Sequence, residues 1–517
     1  MALIIAGERS GVGKTTVTLS LLAYVTRCHL TASGHRPTVQ SFKVGPDYID
    51  PMFHSYITGR PCRNLDPILT SEDYVKHCFS THTHAVDFAL IEGVMGLFDG
   101  VSGECDIGST AHIARLLQIP VVLVLDCSRL SRSVAAIAHG FKTFAPCIQI
   151  AGWVLNRVGS DRHLTMLKEA LHPLGIPIVG IIHRETNITL PDRHLGLVPT
   201  DELPELATVM DRLAQLGKDC FQWDVLLPLL SFSSEKEEAT HLHSQIQTQI
   251  QIDPSPSPSP SPSPSDYANQ RRTTGQTPSL DCRSLPTGHR GSRGDQRPRI
   301  AVARDRAFNF YYADNLDRLT DCGAEVIEWS PLQDTALPDG VSGLYLGGGF
   351  PEMVAIELSG NHVMRQAIHR AIAAGMPTYA ECGGLMYLCE NLVDFEGATW
   401  PMVGVLPTTV RMGATLTLGY RRAIAHKDSP ILPAGMTVWG HEFHRSTLDS
   451  QPRDPLYDIR GYRATSPTQP EGWNLPHLHA SYVHLHWGDR PDIPTRFITQ
   501  CHIWASRLSN EATPVEN

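Results

Sequence analysis

Short apolar runs punctuated by glycine and polar turns set the first pattern in this chain. Before residue 232 they are Leu3–Ala6, Thr38–Lys43, Phe88–Ile91, Val121–Leu125, Gly152–Leu155 and Ile178–Ile182. Most are nearly continuous in apolar character rather than alternating, as strands buried on both faces are. Helical stretches such as Val17–Tyr24 lie between them, and this alternation predicts a parallel sheet wrapped by helices. From about Ser233 to Arg297 the pattern stops. A Gln-rich stretch over 241–252 leads into a Pro-Ser alternation from Pro254 to Ser265. Such a repeat cannot build a core, and proline favours an extended, semi-stiff chain. The strand pattern restarts at Arg299–Ala303, Leu344–Leu346 and Thr378–Ala380, the last two running into Gly347-Gly348-Gly349 and Cys382-Gly383-Gly384. The expected fold class is therefore α/β throughout. A parallel-sheet domain over 1–232, a flexible Pro/Ser/Gln-rich linker over 233–297 and a second α/β domain over 298–510 are expected.

Composition narrows the classes. A chain of 517 residues is too long for one compact core, and 42% hydrophobic residues suffice for several. A net charge of -10, without any Lys/Arg block, gives no electrostatic reason for a nucleic-acid partner. The twelve cysteines form no CxxC pair and no zinc-type spacing, a usage that fits a reducing compartment. The start MALIIAGERS lacks the basic opening and long apolar stretch of a signal peptide. No run approaches the ~18 apolar residues of a membrane span. A soluble cytoplasmic protein without a membrane partner is expected.

The first strand runs directly into Gly7-Glu8-Arg9-Ser10-Gly11-Val12-Gly13-Lys14-Thr15-Thr16, and a helical stretch follows. Strand, glycine loop and helix form the context a phosphate cradle needs. Gly11 and Gly13 let backbone N–H groups turn toward phosphate oxygens, and Lys14 reaches the outer phosphates. The Thr15 hydroxyl can ligate Mg²⁺, with Thr16 beside it. ATP and Mg²⁺ are the expected cofactors. Gly7 lies one residue too early for the standard G-x-x-x-x-G-K-T form. Ile91-Glu92-Gly93-Val94-Met95-Gly96-Leu97-Phe98-Asp99-Gly100 closes the third predicted strand, and Glu92 is the candidate Mg²⁺ ligand there. Lys43-Val44-Gly45-Pro46-Asp47-Tyr48-Ile49-Asp50 closes the second. Gly-Pro-Asp forms turns readily, but a turn alone does not explain a lysine beside two aspartates. Asn156 after the fifth strand is placed either to contact the adenine base or to cap the strand end. Arg193 and His194 sit where they would bind an anionic substrate or lie on the surface. Substrate contacts are expected from Asp47, Tyr48, Asp50, Asp99 and Arg193.

Thr378-Tyr379-Ala380-Glu381-Cys382-Gly383-Gly384-Leu385-Met386-Tyr387-Leu388 predicts strand, tight turn and helix. A cysteine at such a corner stands above the sheet, near a helix N-terminus expected to lower its pKa, and is a candidate nucleophile. A thiolate acyl transfer also needs a base and an oxyanion hole. Leu346-Gly347-Gly348-Gly349-Phe350-Pro351-Glu352 offers backbone N–H groups for the hole. His477, His479, His484 and His486 offer a base, and strand alternation sends His484 and His486 to one face.

Taken in order, the early-glycine P-loop, Lys43–Asp50, Glu92–Gly100, Leu346–Glu352 and Glu381–Leu388 resemble the cobyrinate a,c-diamide synthase family. That resemblance covers both domains and omits the linker. It implies a dethiobiotin-synthetase-like ATP domain fused to a class I-type glutamine amidotransferase domain. It also implies cobyrinate, ATP and L-glutamine as substrates, with ammonia released at Cys382 converting the a and c carboxylates to amides through acyl phosphates, in cobalamin biosynthesis. In similar enzymes the base follows a small-Tyr-aliphatic run, which here points to His484, with His486 in reserve. The His-x-Glu of ordinary class I glutaminases is absent, as it is in related corrinoid enzymes, so the partner that orients His484 is not identified. Glu8-Arg9 and the long Pro-Ser stretch depart from the family pattern. Cobyric acid synthase and the nickel-sirohydrochlorin a,c-diamide synthase share the chemistry. A partitioning-type ATPase switch would explain Lys14 but leave Cys382 without purpose.

Overall fold

The computed structural model describes residues 2–31, 33–184, 192–193, 196–203, 205–230 and 297–511. The first sheet has seven strands: β1 (Ala2–Gly7), β2 (Val39–Val44), β3 (Arg63–Leu65), β4 (Phe88–Glu92), β5 (Val121–Asp126), β6 (Ile150–Val158) and β7 (Ile178–His183). Their order is β3-β2-β4-β1-β5-β6-β7, and every pairing is parallel. The six apolar runs of the sequence are six of these strands. The seventh, β3, is the edge strand Arg-Asn-Leu, too short and polar to leave an apolar run. Helix α1 (Lys14–Arg27) starts on Gly13, whose φ of 94° only glycine adopts without strain. It buries Val17, Leu21 and Leu22 against the sheet, each worth roughly 2 kcal/mol of apolar burial. In this topology the carboxyl ends of β1, β2 and β4 open on one crevice, where α/β sheets bind ligands.

The second sheet is mixed. Strands Glu325–Trp329, Arg299–Ala303, Val341–Leu346, Thr378–Glu381 and Leu478–Ser481 lie side by side in parallel. Beyond them an antiparallel region continues through Thr468–Leu475, Pro455–Gly461 and the 20-residue strand Leu406–Ala425, which pairs with Thr437–Leu448. The apolar runs of the sequence anticipate three of the five parallel strands, Arg299–Ala303, Val341–Leu346 and Thr378–Glu381, and none of the antiparallel ones. Leu406–Ala425 is largely half-exposed along its length, so its apolar alternation is diluted. Thr437–Leu448 then pairs with the two-residue strand His484–Leu485.

The two sheets meet across a packed seam. Helix α2 (Ile49–Thr58) and the loop before it place Tyr48 and Phe53 in one core cluster with Phe310, Tyr312 and Phe350. Tyr74, on helix α3 (Glu72–Thr83), donates to Asp314 Oδ1 at 2.5 Å, and Tyr420 donates to Asp66 Oδ2 at 2.8 Å. Arg63 pairs with Asp317 at 2.6 Å. All of the expected linker except Arg297 lies outside the described residues, as does His194; the Arg193 side chain lies outside them too. Among the described residues no helix is long and apolar enough to cross a membrane.

Candidate active sites

The phosphate loop lies between β1 and α1, with Gly11 at φ 75° and Gly13 at φ 94°. Lys14 is buried, and among the described residues its ammonium donates only to carbonyl oxygens, Met95 O at 2.5 Å and Arg9 O at 3.4 Å. Burial, helped by the nearby Lys43, pulls its pKa down to about 8. The Thr15 hydroxyl donates to Glu92 Oε1 at 2.8 Å and faces Asp50 Oδ2 at 3.3 Å. Thr16 is half-buried in the first turn of α1.

Glu92 ends β4 at the centre of this cluster, fully buried. Lys43 holds its Oε1 at 2.9 Å, and His54 Nε2 meets its Oε2 at 2.8 Å. Burial alone would raise the Glu92 carboxyl, but Lys43 and His54 hold it well below the carboxylate range. Lys43 also pairs with Asp50 at 2.5 Å and Asp47 at 3.4 Å. Burial and the Asp47 charge push Asp50 the other way, upward. His54 is a partner that the motifs do not mention. It lies four residues after Asp50 on α2, on the same helix face, which is the signal that points to it.

Other expected residues are placed differently. Asp47 caps α2 by accepting from the Ile49 and Asp50 N–H groups, and exposed Asp99 accepts from Gly96 N at 2.8 Å. The Asn156 amide donates to Val12 O at 2.8 Å, which braces the phosphate loop. Tyr48 does not join the carboxylates around Lys43. Its ring is buried in the seam against Phe310, Tyr312 and His484. Arg9 pairs with Asp126 at 2.9 Å, and Arg157, on a strained φ of 59°, reaches the same carboxylate at 2.7 Å. Sequence reasoning missed Asp126.

The second site centres on Cys382. It sits between strand Thr378–Glu381 and helix Gly383–Leu388 at φ 46°, ψ -99°, a strained corner for a side chain with a Cβ. Close packing explains the following glycines: a Cβ at Gly384 would overlap Leu346 O, and one at Gly383 would press on Gly349 N. Burial, followed by the Glu352 charge, raises the thiol pKa, so the expected lowering by the helix N-terminus does not prevail. The helix has six residues, and the Gly383 N–H that favours the thiolate does not outweigh the loss of hydration. A thiol in this state needs a base to become a nucleophile.

His484 is buried on its own short strand, beside the glycine loop. A Cβ at Gly348 would overlap its Cε1. Burial lowers its pKa to about 3, leaving a neutral imidazole that can accept a proton. The nearest acid on its Nδ1 side is Glu381, the residue before the nucleophile, with Oε2 at 3.9 Å. Burial pushes Glu381 up to about 7, against donation from Tyr379, the Leu485 N–H and Tyr345. A carboxylate closing an apolar strand immediately before the candidate cysteine is the signal that points to it. His486 turns to another group, with Tyr312 and Tyr74 rings around it and Asp314 Oδ2 at 3.9 Å. His479 is internal, bridging Ser429 and Tyr457, while His477 lines a cleft on the far end of the sheet. Within the glycine loop, the Gly347 N–H is already given to Tyr311 Oη at 2.9 Å, so the loop is not wholly free as expected. Across the paired strands Leu406–Ala425 and Thr437–Leu448, half-buried Arg421 pairs with buried Glu442, whose charge also acts on the Cys382 thiol.

Comparisons with known proteins agree with both halves. Residues 3–198 match the CobQ/CobB/MinD/ParA nucleotide binding domain family. Residues 299–492 match the CobB/CobQ-like glutamine amidotransferase domain family. A cobyrinate a,c-diamide synthase of Synechococcus sp. is 53% identical over 97% of this chain and 98% of its own. Another from Synechocystis sp. is 48% identical over 98% of this chain and 95% of its own. A hydrogenobyrinate a,c-diamide synthase of Streptomyces coelicolor is 40% identical over 96% and 97%. With a nucleotide-binding loop at one site and a cysteine elbow at the other, the chain belongs to the cobyrinate a,c-diamide synthase family of glutamine-dependent amidating ligases.

Proposed function

We propose that this chain converts the a and c carboxylates of cobyrinate to amides with ATP and L-glutamine, in the cytoplasm. One observation carries the reading: a phosphate loop with a buried lysine and a nucleophile elbow with a buried cysteine occupy one chain, joined by a packed seam. Gly11, Gly13, Lys14, Thr15 and Thr16 hold the triphosphate, with Asn156 fixing the loop. The substrate carboxylate attacks the γ-phosphorus and displaces ADP, giving an acyl phosphate. Lys14 neutralises charge on the transferred group. Asp47, Asp99 and Arg193 are the candidates to contact the macrocycle side chains, the Arg193 side chain lying outside the described residues.

The oxygen donors Thr15 Oγ1, Asp50 and Glu92 lie within hydrogen-bond reach of one another through Thr15, a set that suits a hard divalent cation. Mg²⁺ bound there supplies charge neutralisation at the phosphates, and Thr15 and Asp50 would hold it, with Glu92 behind them. At the second site the Cys382 proton passes to His484, and the thiolate attacks the glutamine amide carbon. The protonated His484 returns its proton to the departing ammonia, leaving a thioester that water hydrolyses to glutamate. Ammonia attacks the acyl phosphate carbon and displaces phosphate, and the cycle repeats at the second carboxylate. Glu381 stabilises the imidazolium formed between these steps. The working division is a synthetase domain over 1–232, a linker over 233–297 and a glutaminase domain over 298–510.

Mass spectrometry of the product from cobyrinate, ATP, Mg²⁺ and glutamine tests the proposal. A gain of two amides supports it; four amides, or turnover only on nickel sirohydrochlorin, overturns it. Cys382→Ala is expected to lose glutamine-dependent product and keep product from free ammonia. Loss of both would sink the two-site scheme.

A further inference from the structure

We propose that Tyr48, carried by the nucleotide-binding domain, is a positioning residue for the glutaminase base His484. The inference rests on the glutaminase reading above and adds a wall to that site from the other half of the chain. The two rings lie 5.0 Å apart at 39°, and both residues are buried, Tyr48 at 6% and His484 at 1% exposure. Tyr48 is itself fixed. It stacks at 9° on Phe310, 5.4 Å away, and tilts against Tyr312 at 4.6 Å. Phe310 in turn is tied to the glycine loop, its N–H donating to Gly348 O at 3.1 Å.

Hydrogen bonding does not set the imidazole plane here. His484 Nδ1 has no hydrogen-bond partner among the described residues, and Glu381 stands 3.9 Å off, close enough to act on charge but not to fix an angle. A histidine base is ordinarily held by a hydrogen bond to its second nitrogen. In its absence packing must hold the ring: Gly348 at the Cε1 edge, the backbone pairing of His484 with His441, and the Tyr48 ring. Gly348 offers no side chain and the backbone pairing leaves χ free, whereas the Tyr48 ring packs directly on the imidazole and restrains it. Its place in the loop explains why it points this way. Asp47 and Asp50 turn to Lys43 in the nucleotide-site cluster, and Tyr48 between them turns to the opposite side. One loop therefore serves both sites.

The test is glutamine hydrolysis by the full chain with ATP and corrinoid omitted, so that synthetase chemistry cannot limit the rate. Tyr48→Leu and Tyr48→Ala are expected to lower kcat by about tenfold to a hundredfold, the effect of a misplaced catalytic group, with KM for glutamine changed less than about twofold. Tyr48→Phe, which keeps the ring, is expected to restore kcat to within about twofold of the parent. If Tyr48→Ala fails to fold, Tyr48→Leu decides, since it keeps most of the buried volume. A parental kcat in Tyr48→Leu, a rise in KM alone, or a Tyr48→Phe as slow as Tyr48→Leu overturns the inference. Cys382→Ala is assayed in parallel. Hydrolysis surviving in that variant would mean that the glutaminase reading itself had failed, whereas loss there with parental Tyr48→Leu would remove Tyr48 alone.

Discussion

Replacing Glu381 by Gln removes one negative charge 3.9 Å from His484 Nδ1 while keeping the shape of the side chain. The imidazole is neutral at rest, because burial holds its pKa at about 3, and becomes positive only after taking the Cys382 proton. At an effective dielectric of about 20, a unit pair at that distance is worth about 4 kcal/mol, close to a thousandfold in rate. The carboxyl exerts this effect only when ionised, and burial has raised it to about 7. The parent kcat for glutamine hydrolysis is therefore expected to climb through about pH 7. The base cannot cause that rise, since it is already unprotonated. Glu381→Gln should be flat across that range and slower by about a hundredfold to a thousandfold at pH 8. Stability supplies an independent check. A carboxyl raised from 4.5 to about 7 in the fold stabilises it fully below 4.5 and loses that contribution as pH rises through 7, roughly 3 kcal/mol in all. The melting temperature of the parent should fall over this window, and that of Glu381→Gln should fall less. A Glu381→Gln enzyme within about threefold of the parent at pH 8, or one that keeps the rise through pH 7, would refute the reasoning.

Lys14→Ala is expected to lower amide formation at least about a hundredfold with either glutamine or free ammonia, while glutamine hydrolysis without ATP persists, measured as glutamate release. Nucleotide affinity should weaken as pH rises past about 8, because the unliganded Lys14 loses its proton there and a bound phosphate favours the charged form; calorimetric titration across pH 7 to 9.5 would show no slope if Lys14 did not touch phosphate. Gly348→Ala places a Cβ on His484 Cε1 and should cut glutamine-dependent but not ammonia-dependent amidation, read as the ratio of the two rates. Tyr420→Phe removes the 2.8 Å donor to Asp66 Oδ2 across the seam, leaving Oδ1 on the Ile68 and Leu69 N–H groups, and is expected to cost about 1–3 kcal/mol in chemical denaturation.

Residues whose role is local were legible in the sequence, and residues whose role depends on packing across the chain were not. Lys14 and Cys382 each sit on a strand–turn–helix corner, and a corner leaves a local trace of glycines and an apolar run. The six buried strands of the first sheet leave the same kind of trace. Edge strand β3 does not, because three residues with one apolar side chain carry no period. Strand Leu406–Ala425 is hidden for a related reason: half-exposed over 20 residues, it carries too little apolar contrast. Glu381 stands within the cysteine motif, yet its relation to His484 depends on strands Thr378–Glu381 and Leu478–Ser481 lying side by side, a pairing of residues about a hundred positions apart. Tyr48 shows the limit best. Its neighbours predict a carboxylate-lined turn, and nothing local says that the ring between them faces the other domain.

The charges around Lys14 also explain why nucleotide and cation belong together in this site. Lys43 and His54 satisfy Glu92, so that acid is already balanced. Two groups are left in conflict with their surroundings. Lys14 is depressed because it is buried near a second lysine, and Asp50 is raised because it is buried beside Asp47. A phosphate alone would relieve Lys14 but add negative charge beside Asp50. A divalent cation alone would relieve Asp50 but add positive charge beside Lys14. Bound together, each removes the penalty that the other would impose, through a thiolate-free, all-oxygen donor set that favours a hard ion. The strain in the unliganded cluster is thus matched to the pair, so affinity for ATP should rise with Mg²⁺ by more than the two ligands' separate affinities would give.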